Sequence, residues 1–477
     1  MRDAQRQAVL DAARYLREVR PLDPAELQDY VPDRPHPAAV RQVLRENAVA
    51  LSLLERRDGT FVPVDPGAVD VAVDGDVAVP TGHLERVEDL LVAEFGPEWA
   101  TGESGDELRE RIRAIKERYL AGAAVDYDYR TALGYAVYHF AQSYASARYV
   151  LADLAAAGHL PRTCRVLDVG AGVGGPALAL ADLFPAEALV DYHAVEPGEA
   201  AAVLEELLSG TGRNFHADLA EAPIEAATPE GPFDVVLCAN VLSELADPSA
   251  VATDLLERLA PDGTFVGIAP ADRNTATLLR TVERHLERAA GATVYAPTLR
   301  LWPGETPTGE CWSFDRKPNL AVPDVQARLD EGGGGTGEFV NVDVQYAYAL
   351  LRTDGETALE VRPDPDRYAK MADAEGHVTD RIDCVGVKLS QDLAGGRGVA
   401  AEPGTHGGNP LFLLGDGSER VDHFAVLTAP SALNRDLLEA DYGAVLHLEN
   451  ALLLWNDDEG AYNLVVDGET VVETMAE

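Results

Sequence analysis

Lysine is nearly missing from this sequence: only Lys116, Lys317, Lys370 and Lys388 occur among 477 residues. Cysteine is as scarce, with Cys164, Cys238, Cys311 and Cys384 spread about 73 residues apart and no CxxC pair. That spacing argues against a self-contained zinc finger and a disulfide framework, and fits single reduced thiols in or near cores. No run of about 18 uncharged apolar residues exists, so no membrane-spanning helix is expected. Met1 to Tyr30 is polar and helical in rhythm, without the apolar stretch or cleavage site of a signal peptide. The expected compartment is therefore the cytoplasm.

Negative charge is what the sequence has in excess. Asp and Glu total 81 against 39 basic residues, for a formal net charge of −42. Unscreened repulsion on this scale opposes a compact fold. In molar salt the Debye length shrinks to about 3 Å and the penalty largely disappears. Strong acidity with scarce lysine is expected of a protein from a salt-filled cytoplasm. The charge then reports the solvent, and it does not exclude nucleic acid as a partner. The 46% hydrophobic content excludes a wholly disordered chain.

Residues 1–66 read as a helical module ending in a hairpin. Helices are expected at Ala4–Val19, Pro24–Tyr30 and Pro37–Leu54, and the Asp58–Gly59 pair between alternating apolar positions signals the hairpin. This outline suggests a winged helix, and equally a packing module that touches no nucleic acid, since no basic recognition face is evident. Residues 67–125 read as a linker and helical segment, with helices at His83–Phe95 and Gly105–Leu120. Ala132–Ala157 is a further helix, with Tyr135, Tyr138 and Tyr149 near one face and assigned to core packing.

From Arg165 strands and helices alternate, which implies a parallel sheet. Strands are expected at Arg165–Val169, Val190–Val195, Asn214–Ala217, Val235–Ala239 and Thr264–Ala269. Residues 126–295 form this core with its lead-in helix. Residues 296–372 read as an irregular insert, with Gly332–Gly335 as a flexible spot. In 373–477, five short strands and a helix at Ser431–Glu439 before the fourth suggest a small β-barrel of OB type. The fold class is α/β: a Rossmann-like class I methyltransferase core between a winged-helix-like module and an OB-like barrel.

The central motif is Val166-Leu-Asp-Val-Gly-Ala-Gly-Val-Gly-Gly175, a buried strand running into a glycine-rich turn that opens a helix. Glycine is needed where the turn takes positive φ and a ligand approaches the backbone. The string satisfies GxGxxG through Gly170, Gly172 and Gly175, and acid-x-GxGxG through Asp168, Gly170, Gly172 and Gly174. Asp168 would repel a pyrophosphate and attract the cationic amino-acid part of S-adenosylmethionine. Glu196 ends the second strand, placed for the ribose hydroxyls, and Asp218 ends the third, placed for the adenine amino group. Singly each acid reads as well as a helix N-cap; together they make the series of a cofactor site, with Asn240 after the fourth strand as a further member. No catalytic residue is assigned. The stretch Asn240-Val-Leu-Ser-Glu-Leu245 lacks the Asn/Asp-Pro-Pro-aromatic string of exocyclic amino methylation, and there is no Pro-Cys nucleophile. A second cluster, Arg300 with Trp312, Arg316 and Lys317, reads either as aromatics and cations that stack on and neutralise RNA, or as a loop anchored in a groove.

With these residues in hand, the chain resembles the Rsm-type methyltransferase-like proteins of the mitochondrial small ribosomal subunit and their prokaryotic relatives, as a haloarchaeal-like member. The likeness covers roughly residues 125–450. It is carried by Tyr138-His-Phe-Ala-Gln-Ser-Tyr-Ala145, Leu167-Asp-Val-Gly-Ala-Gly172, Asn240-Val-Leu-Ser-Glu-Leu245, Cys311-Trp-Ser-Phe-Asp-Arg316, Gly415-Asp-Gly-Ser-Glu-Arg420 and Asp441-Tyr-Gly443. It implies S-adenosylmethionine as cofactor and a role on the small ribosomal subunit or its RNA, as methyltransferase or assembly factor. Mitochondrial members of the family carry an iron–sulfur cluster on four cysteines. Here only Cys311 falls in such a string, so no cluster and no metal site are expected. The family's Pro-Ala-Thr-Tyr element reads Ala141-Gln-Ser-Tyr144. A small-molecule methyltransferase is the remaining rival, and an OB-like barrel and a winged helix weigh against it.

Overall fold

The computed structural model describes residues 1–71, 75–120, 127–227, 229–394 and 408–476. Parts of three expectations lie outside the described residues: the linker at 72–74, the helical segment at 121–126 and the barrel at 395–407. The chain forms two compact units, one of Met1–Leu237 with Arg258–Ala260 and Leu320–Val342, the other of Cys238–Glu257, Pro261–Asn319 and Asp343–Glu477. Among the described residues no helix is long and apolar enough to cross a membrane.

The first unit opens with α1 (Asp3–Leu16), α2 (Pro24–Leu27), α3 (Pro37–Glu46), α4 (Ala48–Leu51), β1 (Leu53–Glu55) and β2 (Phe61–Pro63). Asp23 caps α2 by accepting from the Ala25 amide at 2.8 Å, with Pro24 preset for the first turn. Val9, Ala13, Leu27, Val40, Leu44 and Phe61 close a small core of their own. Arg41 and Arg45 of α3, the helix a winged-helix reading would offer to nucleic acid, both pair with buried Glu55. Asn214 exchanges hydrogen bonds with the Glu55 backbone and so fastens the module to the sheet side of its unit.

Helices α5 (Thr81–Phe95), α6 (Gly102–Leu120) and α7 (Tyr129–Ala156) lead to β3 (Thr163–Val169), α8 (Gly175–Leu183), β4 (Leu189–Val195), α9 (Ala200–Leu208), β5 (Phe215–Ala220) and β6 (Phe233–Ala239). The strands run parallel in the order β5-β4-β3-β6. The buried runs of β3 and β6 suit a sheet covered on both faces, whereas β5 at the edge is largely exposed. On α7 the fully buried aromatics are Phe140 and Tyr144, whereas Tyr135, Tyr138 and Tyr149 are only half-buried. The expected core face is corrected accordingly: the tyrosines border the buried stripe.

The second unit contributes α10 (Pro248–Leu256), most of β7 (Leu259–Pro270), α11 (Arg273–Ala290), β8 (Thr293–Ala296) and β9 (Asp315–Pro318). The chain then returns to the first unit for α12 (Asp324–Gly332) and re-enters the second with β10 (Asp343–Arg352), which pairs antiparallel with β7, β8 and β9. The expected irregular insert is thus irregular at 297–314 and 353–370, while β9, α12 and β10 give regular structure between them. Gly332–Gly335 ends a helix, where glycine relieves the left-handed termination, and Asp330 holds the following loop by accepting from the Gly337 and Phe339 amides at 2.9 and 3.1 Å.

The barrel comprises β11 (Arg381–Lys388), β12 (Leu411–Gly415), β13 (His423–Leu427), α13 (Asp436–Glu439), β14 (Val445–Asn456) and β15 (Ala461–Val466), followed by β16 (Val471–Ala476). Five strands close in the order β11-β12-β13-β15-β14 and back to β11, with β13 and β15 parallel; β16 adds to the far side of β14. A single helix before the fourth strand and a parallel third–fifth pair give the OB-type topology. That helix is shorter than the expected Ser431–Glu439. Lys388, fully buried, donates to the Ala440 carbonyl at 2.6 Å and terminates it.

Candidate functional site

The glycine-rich turn sits where β3 ends in the first unit. Gly170, Gly172 and Gly174 have φ of 67°, 55° and 89°, a conformation that L side chains adopt at a cost of about 1–2 kcal/mol. A Cβ at Gly174 would also stand 2.7 Å from Leu204 Cδ1. Gly175 serves a different purpose: a Cβ there would meet Ser143 Cβ at 3.0 Å and the α7 backbone at 3.1 Å, so this glycine lets α8 start against α7.

Asp168 lies beneath the turn, completely buried. One carboxylate oxygen accepts from the Tyr192 hydroxyl at 2.6 Å, and the other has no hydrogen-bond partner. Burial pushes its pKa up to about 7, the Tyr192 hydrogen bond opposes the rise, and the Glu196 charge adds to it. A buried acceptor left bare is costly, and a cationic group is what it lacks. Glu196 bridges the turn and the end of β4, accepting from the Gly172 amide at 2.9 Å and the Gly198 amide at 3.0 Å. Burial raises its pKa, against those two amide bonds. Asp218 stands exposed on β5, in register with His193 of β4. These residues fit S-adenosylmethionine: a bare buried carboxylate for its ammonium, and a turn whose three glycines leave backbone against which it can lie, the Ala171 and Val173 side chains being buried. Asn240 belongs to the second unit, where it adopts φ 62° and donates its amide to the Ile268 carbonyl at 2.8 Å.

Sequence reasoning missed two features here. Tyr192 gives no signal because its link to Asp168 crosses between strands. Tyr127, Tyr135, His139 and Tyr138 form a chain of ring contacts with centroid distances of 5.8, 4.8 and 4.8 Å. Tyr127 ends this chain beside Gly198, the residue after Pro197. Burial, with the Lys116 charge, lowers the His139 pKa to about 4, so the ring is neutral at neutral pH. The spacing of Tyr135, Tyr138 and His139 on one helix was the available clue.

The second cluster lies in the second unit. Arg300 is held by Glu287 at 3.0 Å, Glu283 at 3.1 Å and the Thr298 carbonyl, with 12% of its side chain exposed. Arg316 pairs with Asp343 at 2.7 Å and Lys317 with Asp315 at 3.1 Å. Trp312 donates its indole N–H to the Ala271 carbonyl at 2.8 Å and tilts against Phe314. The segment thus carries its own counter-charges, and Arg300 is spent on an internal network. All four cysteines are buried free thiols.

Among curated sequences no protein matches the chain. Two family models describe a domain of unknown function, DUF8157: its N-terminal domain matches residues 6–57 and its C-terminal domain residues 372–475. Similar solved structures include a sugar N-methyltransferase from a Streptoalloteichus species, at 21% identity and TM-score 0.24, covering 30% of this chain and 54% of that one. A putative methyltransferase from Thermoplasma acidophilum is 12% identical with TM-score 0.29, covering 41% and 70%. A putative RNA methyltransferase from Pyrococcus horikoshii is 13% identical with TM-score 0.28, covering 44% and 82%. The chain thus spans about half the length of the first of these. Residues 167–265 match the methyltransferase domain family, which agrees with the parallel strand order and the glycine turn. The fold of residues 167–265 is thus that of a methyltransferase domain, Rossmann-like in its parallel strand order and its glycine turn.

Proposed function

We propose that the chain holds S-adenosylmethionine at Gly170–Gly174 and transfers its methyl group to RNA of the small ribosomal subunit. The observation that carries the cofactor half is the unpartnered, buried Asp168 oxygen beneath a turn of three positive-φ glycines. Asp168 takes the ammonium, Glu196 the ribose hydroxyls and Asp218 the adenine amine. The cofactor supplies an electrophilic methyl group, and in-line displacement asks the protein mainly for positioning. The choice of acceptor rests on the likeness of the Leu-Ser-Glu-Leu and Cys-Trp-Ser-Phe-Asp-Arg strings to the Rsm-type family. The compartment is a salt-rich cytoplasm, in keeping with the charge of −42.

A second reading has a specific observation behind it. The segment after β6 carries no nucleobase-directed motif, which favours a non-catalytic assembly factor that keeps the cofactor pocket. Titration of S-adenosylmethionine into wild type, Asp168→Ala and Glu196→Ala in about 3 M KCl tests the pocket. Binding lost in both variants supports it, and a well-folded wild type that binds nothing overturns the enzyme. Co-sedimentation with small subunits at high salt is expected on either ribosomal reading and not for a small-molecule methyltransferase.

A further inference from the structure

A cavity of about 720 Å³ lies within the second unit, on the β12–β13 face of the barrel. Its volume is in the range of ligand sites. Along β13 the side chains alternate, His423, Ala425 and Leu427 pointing into the barrel, Phe424 and Val426 out into the cavity. Trp312 and Phe314 line the same cavity with Asn463, whereas the carboxamides of Gln391, Gln345 and Asn456 are tied to Asp315, Asp343 and the Asp458 amide at 3.1, 3.2 and 3.1 Å. Arg273, Arg316 and Arg420 stand at the same cavity.

The four acids of the lining, Glu310, Asp392, Asp422 and Glu459, look adverse to a polyanion. Three of them are already engaged. Asp392 accepts from the Ala394 and Leu411 amides, Asp422 accepts from the Cys311 amide, and Glu310 pairs with Arg273. Arg316 is held to Asp343 at 2.7 Å, but the Arg273–Glu310 pair is exposed on both sides, and Arg420 lies 3.9 Å from Glu305 with 62% of its side chain in solvent. Exposed pairs are worth about 1 kcal/mol or less, so a phosphate can displace the carboxylate. The barrel is closed, so this face offers no strand edge on which a peptide could pair. Aromatic rings that share one lining with a carboxamide suit bases that stack and present their hydrogen-bonding edges.

We propose that this groove binds an unpaired stretch of RNA, with Phe424 and Trp312 as stacking platforms, Asn463 at a base edge and Arg273 and Arg420 at phosphates. The assignment rests on the RNA reading above, yet it is tested apart from the cofactor. Anisotropy of a fluorescein-labelled, unstructured 12-nucleotide RNA is measured in molar KCl with wild type, Phe424→Ala, Arg420→Glu, Asn463→Ala and the remote control Arg2→Glu. Stacking on one aromatic is worth about 1–3 kcal/mol, so Phe424→Ala should weaken binding roughly tenfold or more. Arg420→Glu, at an exposed position that leaves the fold intact, and Asn463→Ala should each weaken it several-fold, and Arg2→Glu should leave it unchanged. All should bind S-adenosylmethionine like wild type. Wild type that binds the cofactor but no RNA overturns the groove and leaves the pocket standing; RNA binding without cofactor binding does the reverse. Unchanged RNA affinity in the groove variants, or their loss of a neutral oligosaccharide such as maltoheptaose in place of RNA, overturns the assignment.

Discussion

The Tyr192 hydroxyl donates to Asp168 at 2.6 Å, and the second oxygen of that carboxylate is buried with no partner. The pair is half of an arrangement that a cation completes. Burial raises the Asp168 pKa to about 7, against roughly 3.9 unfolded, so the native state binds the extra proton between those values. Free protein should therefore lose stability as pH rises from about 4 to 7, by about 1.4 kcal/mol per pKa unit. Asp168→Asn removes that slope. It should unfold at higher temperature than wild type at pH 7.5 without cofactor, and bind S-adenosylmethionine at least a hundredfold more weakly. Scanning calorimetry from pH 4 to 8 checks the first half and titration the second; a variant less stable than wild type at pH 7.5 would contradict the bare-carboxylate picture.

Binding a cation beside Asp168 should drive its proton off. Below pH 7 cofactor binding is expected to release close to one proton, seen as heat that changes with buffer ionisation enthalpy. Tyr192→Phe removes the hydrogen bond that favours the charged form, moving the release to higher pH and weakening affinity at pH 7 several-fold, with recovery toward pH 9. Asp168→Asn should show no buffer dependence of this origin. Equal proton release by Tyr192→Phe and wild type at every pH would separate the two residues.

Much of this site was legible because it is local in sequence. Asp168 and the glycines lie within one strand and one turn, and Glu196 follows directly on β4; Asp218, expected at the end of the third strand, instead lies inside β5, which runs on to Ala220 and is largely exposed. What escaped depends on distant neighbours. β10 leaves no strand signal in the sequence because Tyr346–Leu351 is buried on both faces and shows no alternation. Arg300 looked like a free cation because Glu283 and Glu287, which bind it, stand a full turn apart on α11, far from the aromatic cluster in sequence. Tyr192 is silent for the same reason: a strand residue announces its face, and the partner across the sheet is set by register.

Gly175 should be less replaceable than the flexible-turn argument alone suggests. Its missing Cβ is the space that Ser143 and the α7 backbone occupy at 3.0–3.1 Å. Gly175→Ala should destabilise by about 1–3 kcal/mol, as other overpacking changes do, and Gly175→Val by more. Ser143→Gly should restore part of the loss in Gly175→Ala, because the nearest side-chain atom is removed. Denaturant unfolding of the single and double variants reads this directly; additive losses would show that the helices do not meet there.

The net charge of −42 makes the dependence on salt a test of mechanism. If like-charge repulsion is what salt relieves, stability should climb steeply at low concentration. The Debye length falls from about 30 Å at 0.01 M to 10 Å at 0.1 M and 3 Å at 1 M, so little repulsion is left to screen beyond that point. Salting-out acts differently, strengthening apolar burial progressively through exclusion of ions from the surface, and more for sulfate than for chloride. Unfolding midpoints measured from about 0.1 to 3 M in KCl and in potassium sulfate at matched ionic strength should therefore rise most below about 1 M and nearly coincide there. A rise that is linear throughout and much larger in sulfate would assign the benefit to apolar burial, and the acidic surface would then need another explanation than tolerance of a salt-filled solvent.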